Sequence, residues 1–423
     1  MLAAMSTPPF RPSSQATAVS RDRDDACPGA LRLHTADDGA LARIRIPGGV
    51  LRVDQAEALG RAARELGDGE LHLTSRGNVQ LRGLKSGCGR ELADLLTAIG
   101  LLPSWRHERV RNVVASPLSG LDGRGFADVR PWLRALDELV CASEIAAGLS
   151  GRFLFALDDG RGDVAGLGAD VTLLAAPDGG AWLRVGGSDS VARVSSEDAP
   201  GAAVLAAEVF LETSGGQVWR VGELPGRADE LVHEVARRLR TRHAELAPLW
   251  SVTSEPSLGA VTAPDGTTSL SVLAPLGRVT ATQWAEMRTV ASGELRLTPW
   301  RGVILPAVPL DRLPDLDAVG LITDSASPWF GVGACIGRPG CATSRADVRT
   351  DAAAALAAGG GLPVYWSGCE RRCGRPRGDH VDVLAVPDGG YQISVVRDGH
   401  GRATSTTDNP STLAADLAAA RHA

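Results

Sequence analysis

The chain repeats itself, and no other feature constrains its fold as strongly. Gly69-Glu70-Leu71-His72-Leu73-Thr74 returns as Gly293-Glu294-Leu295-Arg296-Leu297-Thr298, and Val79-Gln80-Leu81 returns at the same offset of 224 as Val303-Ile304-Leu305. Upstream, Asp54-Gln55-Ala56-Glu57-Ala58-Leu59 has a counterpart in Thr282-Gln283-Trp284-Ala285-Glu286-Met287. Ala176-Pro177-Asp178-Gly179-Gly180 and Val386-Pro387-Asp388-Gly389-Gly390 form a second pair, each between β-rich runs, as a hairpin turn should. The order is therefore A-B-A′-B′, with A at 30–105, B at 106–245, A′ at 246–312 and B′ at 313–423. Each A unit reads strand, helix, strand. The helix over 54–66 sets Ala56, Leu59, Ala63 and Leu66 on its apolar face and stops at Gly67. Two such α+β halves can pair their sheets across a pseudo-twofold axis, with a ligand cleft between the copies. The small, polar stretch 186–205 reads as an exposed loop.

Chemistry concentrates in B′. Cys335-Ile-Gly-Arg-Pro-Gly-Cys341 and Cys369-Glu-Arg-Arg-Cys373 place four of the chain's seven cysteines in two close pairs. Thiolate quartets hold iron–sulfur clusters or structural zinc. The spacing favours the cluster, because zinc sites usually close each pair over about two to four residues. Gly333, Gly337, Gly340, Gly368 and Gly374 let the backbone approach inorganic sulfide and donate N–H groups to it. One [4Fe-4S] cluster is the expectation.

C-x5-C followed by C-x3-C resembles the cluster signature of the sulfite and nitrite reductase family, whose members pair a [4Fe-4S] cluster with siroheme. Three further segments carry the resemblance: Ala42-Arg43-Ile44-Arg45-Ile46-Pro47-Gly48-Gly49, the strand Leu73-Thr74-Ser75-Arg76-Gly77-Asn78-Val79-Gln80-Leu81-Arg82-Gly83, and Arg111-Asn112-Val113-Val114-Ala115-Ser116-Pro117. It spans roughly residues 30 to 400. It implies a duplicated fold with two ferredoxin-like halves paired and two α/β cluster-type domains. Within the family, Cys27-Pro28-Gly29 and Leu297-Thr298-Pro299-Trp300-Arg301 look most like the precorrin-3B synthase branch. That branch implies oxygen-dependent hydroxylation and lactone formation on precorrin-3A. It also implies a tetrapyrrole substrate, dioxygen, an external electron donor (ferredoxin or a reductase) and a mononuclear non-haem iron with no ligand set visible in the sequence. The reductases grip a small anion with two arginines and two lysines. Arg45 and Arg111 match the arginines, whereas Arg152 and Leu154 stand where the lysines belong. Losing a cation beside sulfite or nitrite weakens binding and proton delivery, so the departure argues against a reductase. A siroheme-dependent sulfite or nitrite reductase is the alternative, and a non-catalytic iron–sulfur electron carrier is the third reading.

Arg43 and Arg45, two apart on a strand, share a face, as do Gln80 and Arg82 on the next strand. Arg76 sits at the turn before it, and Arg301 holds nearly the same place in the repeat. Guanidinium forks bind carboxylates through paired hydrogen bonds, and a precorrin rim bears several carboxylate arms. Arg45, Arg76, Gln80, Arg111, Arg152 and Arg301 are therefore the tetrapyrrole-binding candidates. None of the eight histidines makes a metal-ligand pair by spacing. His72 and His107 are weak candidates for an acid/base role or a second iron.

Composition narrows the rest. A net charge of −6 and a pI near 5.8 argue against nucleic acid, and no apolar run approaches the ~18 residues of a membrane span. No glycine-rich phosphate loop follows a strand, so electrons must come from a separate protein. An odd cysteine count without an even framework, beside an oxygen-sensitive cluster, points to the cytoplasm. The Pro-, Ser- and Ala-rich residues 1–29 read as a disordered leader, with Met1 and Met5 as alternative starts.

Overall fold

The computed structural model describes residue 25 and residues 27–241, 243–244, 255–356, 360–397, 400–407 and 410–423. Most of the expected leader, 1–24 and 26, lies outside the described residues. Its described residues, 25 and 27–29, are tied to the folded chain. The Asp25 carboxylate accepts from Ser150 Oγ at 2.9 Å and from the Gly151 N–H at 2.7 Å, and the Gly29 N–H donates to Arg32 O.

The two A units build a pair of five-stranded sheets that exchange a strand. The first runs His34–Ala36, Gly39–Ile44, Val79–Leu84, Leu71–Leu73 and then Arg278–Val279 from the second copy. The second runs Gly259–Thr262, Thr268–Leu273, Gly302–Leu305, Glu294–Leu297 and then Val50–Arg52 from the first copy. Crossing is made at two matched turns, Pro47–Gly49 and Pro275–Gly277. At Gly49, φ is +71°, and a Cβ would fall 1.9 Å from Leu297 O, so only glycine fits where the copies cross. The helices Val53–Leu66 and Ala281–Val290 pack together, and Trp284 Nε1 donates to Ala56 O at 2.7 Å. One apolar cluster spans both copies, from Ala42, Ile44 and Leu81 to Val272, Leu295 and Val303. The first helix ends at Gly67 as expected, but Gly67 is extended; the left-handed residue is Gly69, at φ +87°.

The B units share a topology. In B, strands Val113–Ala115, Phe155–Asp158 and Val171–Ala175 are parallel, followed by antiparallel Ala181–Val185 and Val191–Val194. In B′, Val332–Ala334, Val364–Ser367 and His380–Ala385 are parallel, followed by antiparallel Tyr391–Arg397 and His400–Thr407. The two Pro-Asp-Gly-Gly segments are hairpin turns in matching places, at 176–180 and 386–390. The stretch 186–205 is not a loop. It holds the strand Val191–Val194 and the start of the helix Ala199–Ser214, burying Val191, Ala192, Ala199, Ala202 and Ala203. Its alanines and valines, thin as a sequence signal, are small enough to lie flat against that core.

Candidate functional site

In B′ the cysteines gather at the carboxyl ends of two parallel strands, where ligands bind in open α/β sheets. Cys335 directly follows Val332–Ala334, and Ser367-Gly368-Cys369 leaves the neighbouring strand. The Cys335 N–H donates to Trp366 O at 2.9 Å, and the Gly368 N–H points at Cys335 Sγ at 3.3 Å. The Thr343 hydroxyl lies between two sulfurs, 3.2 Å from Cys341 Sγ and 3.7 Å from Cys369 Sγ. Burial pushes the Cys335 and Cys373 thiols up, and the neighbouring thiolates push them further; Cys373 senses all three others. Among the described residues, the groups whose ligand atoms all lie within 4.8 Å of one another are Asp68–Glu70–His72 and Asp158–Asp159–Asp163. The four thiols are not such a group. Convergence without close contact suits a polynuclear cluster better than one zinc, which draws its sulfurs to about 2.3 Å from a single centre.

The face of the first sheet turned away from its apolar core carries Arg43, His72, Gln80 and Arg82 by alternation along the strands. Cross-strand partners form a row: Arg43 opposite Gln80, Gln80 opposite His72, His72 opposite Arg278. With its amide turned to satisfy its partners, Gln80 Oε1 accepts from Arg43 Nη2 at 2.7 Å. Arg45 is buried, donating to Arg109 O at 3.2 Å and Gly151 O at 3.3 Å. Burial and then the Arg43 charge lower its pKa to about 9. Burial, then Arg220 and Arg43, lower that of Arg76 to about 10. Arg220 Nε donates to Asp170 at 2.5 Å, and Arg377 of B′ lies over Gly168, where a Cβ would meet its Nη1 at 1.4 Å. Arg43 also senses Cys373, so this basin abuts the cysteine nest. Five guanidiniums from A, B and B′ thus converge, and the carboxylates acting on them are Asp25, Glu108 and Asp170. Such crowding of cations calls for a polyanionic ligand.

The sequence-expected residues divide. Arg45, Arg76 and Gln80 join the basin, and His72 lies on its sheet face, between Asp68 at 3.5 Å and Arg349 at 3.4 Å. Arg111 does not join. It is buried in a fork on Asp137 at 2.8 and 2.6 Å and donates to Leu101 O at 2.6 Å, so its charge is spent inside B. Arg152 stacks on the Trp219 ring at 4.7 Å. Arg301 turns toward the cysteine nest, over the Tyr365 ring at 5.4 Å. His107 is held between Ser104 Oγ at 2.7 Å and Ser143 O at 2.9 Å, a structural place rather than a catalytic one. Leu154 is 4 % exposed in an apolar cluster with Val114, Ala156, Val164 and Ala169. Sequence reasoning paired Arg43 with Arg45 without placing it in the site; Arg220 and Arg377 carried no signal at all.

In B, Ser116 stands where Cys335 follows its strand, and Asp158, Asp159 and Asp163 occupy the loop matching that of Cys369 and Cys373. Here carboxylates do the tying. Asp158 accepts N–H bonds from Gly160, Gly162, Val164 and Ala165, while Arg161 bridges Asp122 and Asp159.

Comparison with known proteins agrees with this architecture. A family model described as the nitrite/sulfite reductase ferredoxin-like half domain matches residues 34–98 and 262–319, one segment in each copy. A ferredoxin–nitrite reductase of Synechococcus elongatus is 30% identical over 392 residues, covering 82% of this chain and 76% of the relative. A precorrin-3B synthase of Sinorhizobium sp is 26% identical over 419 residues, covering 94% and 88%. The solved structure of the Mycobacterium tuberculosis NirA protein superposes with a TM-score of 0.74 at 20% identity, covering 89% of this chain and 79% of that one. Among the described residues no helix is long and apolar enough to cross a membrane.

Proposed function

The chain belongs to the nitrite/sulfite reductase family, and from that premise we propose that it is an oxidoreductase of the precorrin-3B synthase type, hydroxylating a precorrin with dioxygen. Cys335, Cys341, Cys369 and Cys373 would hold one [4Fe-4S] cluster, which when bound supplies single electrons from an external donor such as ferredoxin. The chain's own residues bind and orient. Arg43, Arg76 and Arg377 offer guanidiniums for the carboxylate arms of a macrocycle, Arg220 is held beside them by Asp170 and Gly168 O, and Arg45 braces the cleft wall through Arg109 O and Gly151 O.

One observation carries the choice between branches. Leu154 stands buried where a reductase places its second lysine, with its backbone N–H tied to Asp170 at 2.9 Å. Arg111, the second arginine of that set, is neutralised by Asp137. At these two positions a small anion would meet neither of the cations that a reductase supplies, whereas the wide arginine basin suits a polycarboxylate. The siroheme-dependent reductase remains the second reading, supported by the 30% identity to a nitrite reductase.

The test uses anaerobically purified full-length protein. Supplied with precorrin-3A, labelled dioxygen and a reductant, it should yield a product heavier by one labelled oxygen atom, with little sulfite or nitrite reduction. Efficient nitrite or sulfite reduction, with the precorrin unchanged, would decide for the second reading. Serine at any of the four nest cysteines should cost iron and acid-labile sulfide, while Cys88→Ser should not.

A further inference from the structure

We propose that Arg82, Arg301 and Arg349, from three separate parts of the chain, form a cationic collar that seats the cysteine loops and raises the reduction potential of the cluster they hold. This rests on the reading that the four cysteines bind a [4Fe-4S] cluster. Each arginine grips the backbone at or beside a different cysteine. Arg82, from the first sheet, donates to Gly340 O at 2.7 Å, next to Cys341. Arg301, from the second copy, donates to Gly374 O at 3.1 Å, next to Cys373, while the Tyr365 hydroxyl beneath it donates to Cys373 O at 2.5 Å. Arg349, within B′, donates to Cys335 O at 3.3 Å.

The repeat shows that Arg301 is placed at a cost. Thr298 N donates to Gly302 O and Arg301 N to Thr298 O, the same two bonds that Thr74, Gly77 and Asn78 make in the first copy. Gly77 has φ +65° and Arg301 has φ +66°. The first copy fills this left-handed position with glycine, which adopts it freely; the second fills it with a long cation. What the side chain gains is the contact at Gly374 O.

Charge points the same way. Arg82 is matched by Asp38 at 2.7 Å. Among the described residues, neither Arg301 nor Arg349 lies within 4.0 Å of a carboxylate. Glu255 senses Arg301, but burial lifts its pKa to about 7, so it offsets the charge only in part. Arg349 is half-buried among cations, with Arg301, Arg278 and Arg82 all acting on it. Half-buried cations crowded together without carboxylates repel one another, and an anion beside them relieves that repulsion. A [4Fe-4S]2+ core with four thiolates is a dianion, and the electron it accepts from a one-electron reductant makes it a trianion. Fixed cations at this range favour the more negative state, so they favour the reduced cluster.

The experiment is a redox titration of the full-length holoprotein with dithionite and mediators, followed by electron paramagnetic resonance. Arg301→Gly relieves the backbone while deleting the charge, and Arg349→Gln deletes a second charge. Each should make electron acceptance at least about tenfold less favourable, a fall of about 59 mV for a one-electron couple. Arg301→Lys keeps the charge and should hold most of the wild-type potential, and the remote Arg312→Gln should hold all of it. Unchanged midpoints in both neutral variants, with iron and sulfide intact, overturn the collar. Cluster loss in Arg301→Gly but not in Arg301→Lys supports it, since the retained charge is then what seats the loop. Wild-type protein lacking acid-labile sulfide and any reduced-cluster signal overturns the underlying cluster reading instead.

Discussion

At the residue scale, environment rather than residue type decides what an ionisable group does. Arg111 and Arg76 read alike in the sequence, yet one is spent on Asp137 and the other stands in a crowd of cations. Asp163 shows the same principle in a carboxylate. Burial, then the Asp158 charge, lifts its pKa to about 7 against the opposing pull of Ser116 and Arg161. The folded protein therefore keeps a proton that the unfolded chain releases near the ordinary 3.8. The stabilisation linked to that proton is complete below this value and is lost as pH rises through about 7. Asp163→Asn, which cannot ionise, should gain stability relative to wild type between pH 5 and pH 8. Urea unfolding at both pH values measures the gap, and an equal gap at both would contradict the assignment.

At the element scale, the strand exchange between the A copies depends on two tight turns. Gly49 has no room for a side chain against Leu297 O, whereas Gly69, also left-handed at φ +87°, has nothing within 4 Å of its absent Cβ. Gly69→Ala should cost only the backbone term, about 1 kcal/mol. Gly49→Ala adds a clash at the crossing and should cost about 2–3 kcal/mol, in the upper range for strained backbone sites. Chemical denaturation of both variants tests this. Equal losses would mean that the crossing relaxes more easily than its geometry suggests. The hairpins after Ala175 and Ala385 were legible because Pro-Asp-Gly-Gly encodes a turn locally. The helix Ala199–Ser214 was not, since its burial on nearly every side leaves no amphipathic stripe to read.

At the scale of the whole molecule, the arginine basin belongs to no single unit. Arg43, Arg45 and Arg76 come from A, Arg220 from B and Arg377 from B′, and they meet beside the cysteine nest. Arg76→Ala should therefore weaken binding of a polycarboxylate tetrapyrrole by about 1.5–3 kcal/mol, the usual worth of a hydrogen bond to a charged group. Binding in the wild type should also fall as salt is added. Because four of the five basin arginines lie outside the cysteine loops, with Arg377 alone following Cys373, protein stripped of iron should retain most of this affinity. Fluorescence titration with a tetrapyrrole carboxylate reads both effects, and wild-type affinity in Arg76→Ala would remove it from the basin.

The sequence by itself determined the duplication, the cysteine quartet and the polar face of the first sheet, since each is written in spacing along the chain. Periods of two and 3.6 residues, a fixed offset and a thiol pattern survive without knowledge of any distant contact. Only the tertiary structure decided which arginines remain available. A guanidinium is free or spent according to whether a carboxylate such as Asp137, 26 residues away from Arg111, folds back against it. It also brought Arg220, Arg377 and the Arg82–Arg301–Arg349 set to places that no local pattern encodes. Charge acts through space, and the distances that count are set by packing between units rather than by order along the chain.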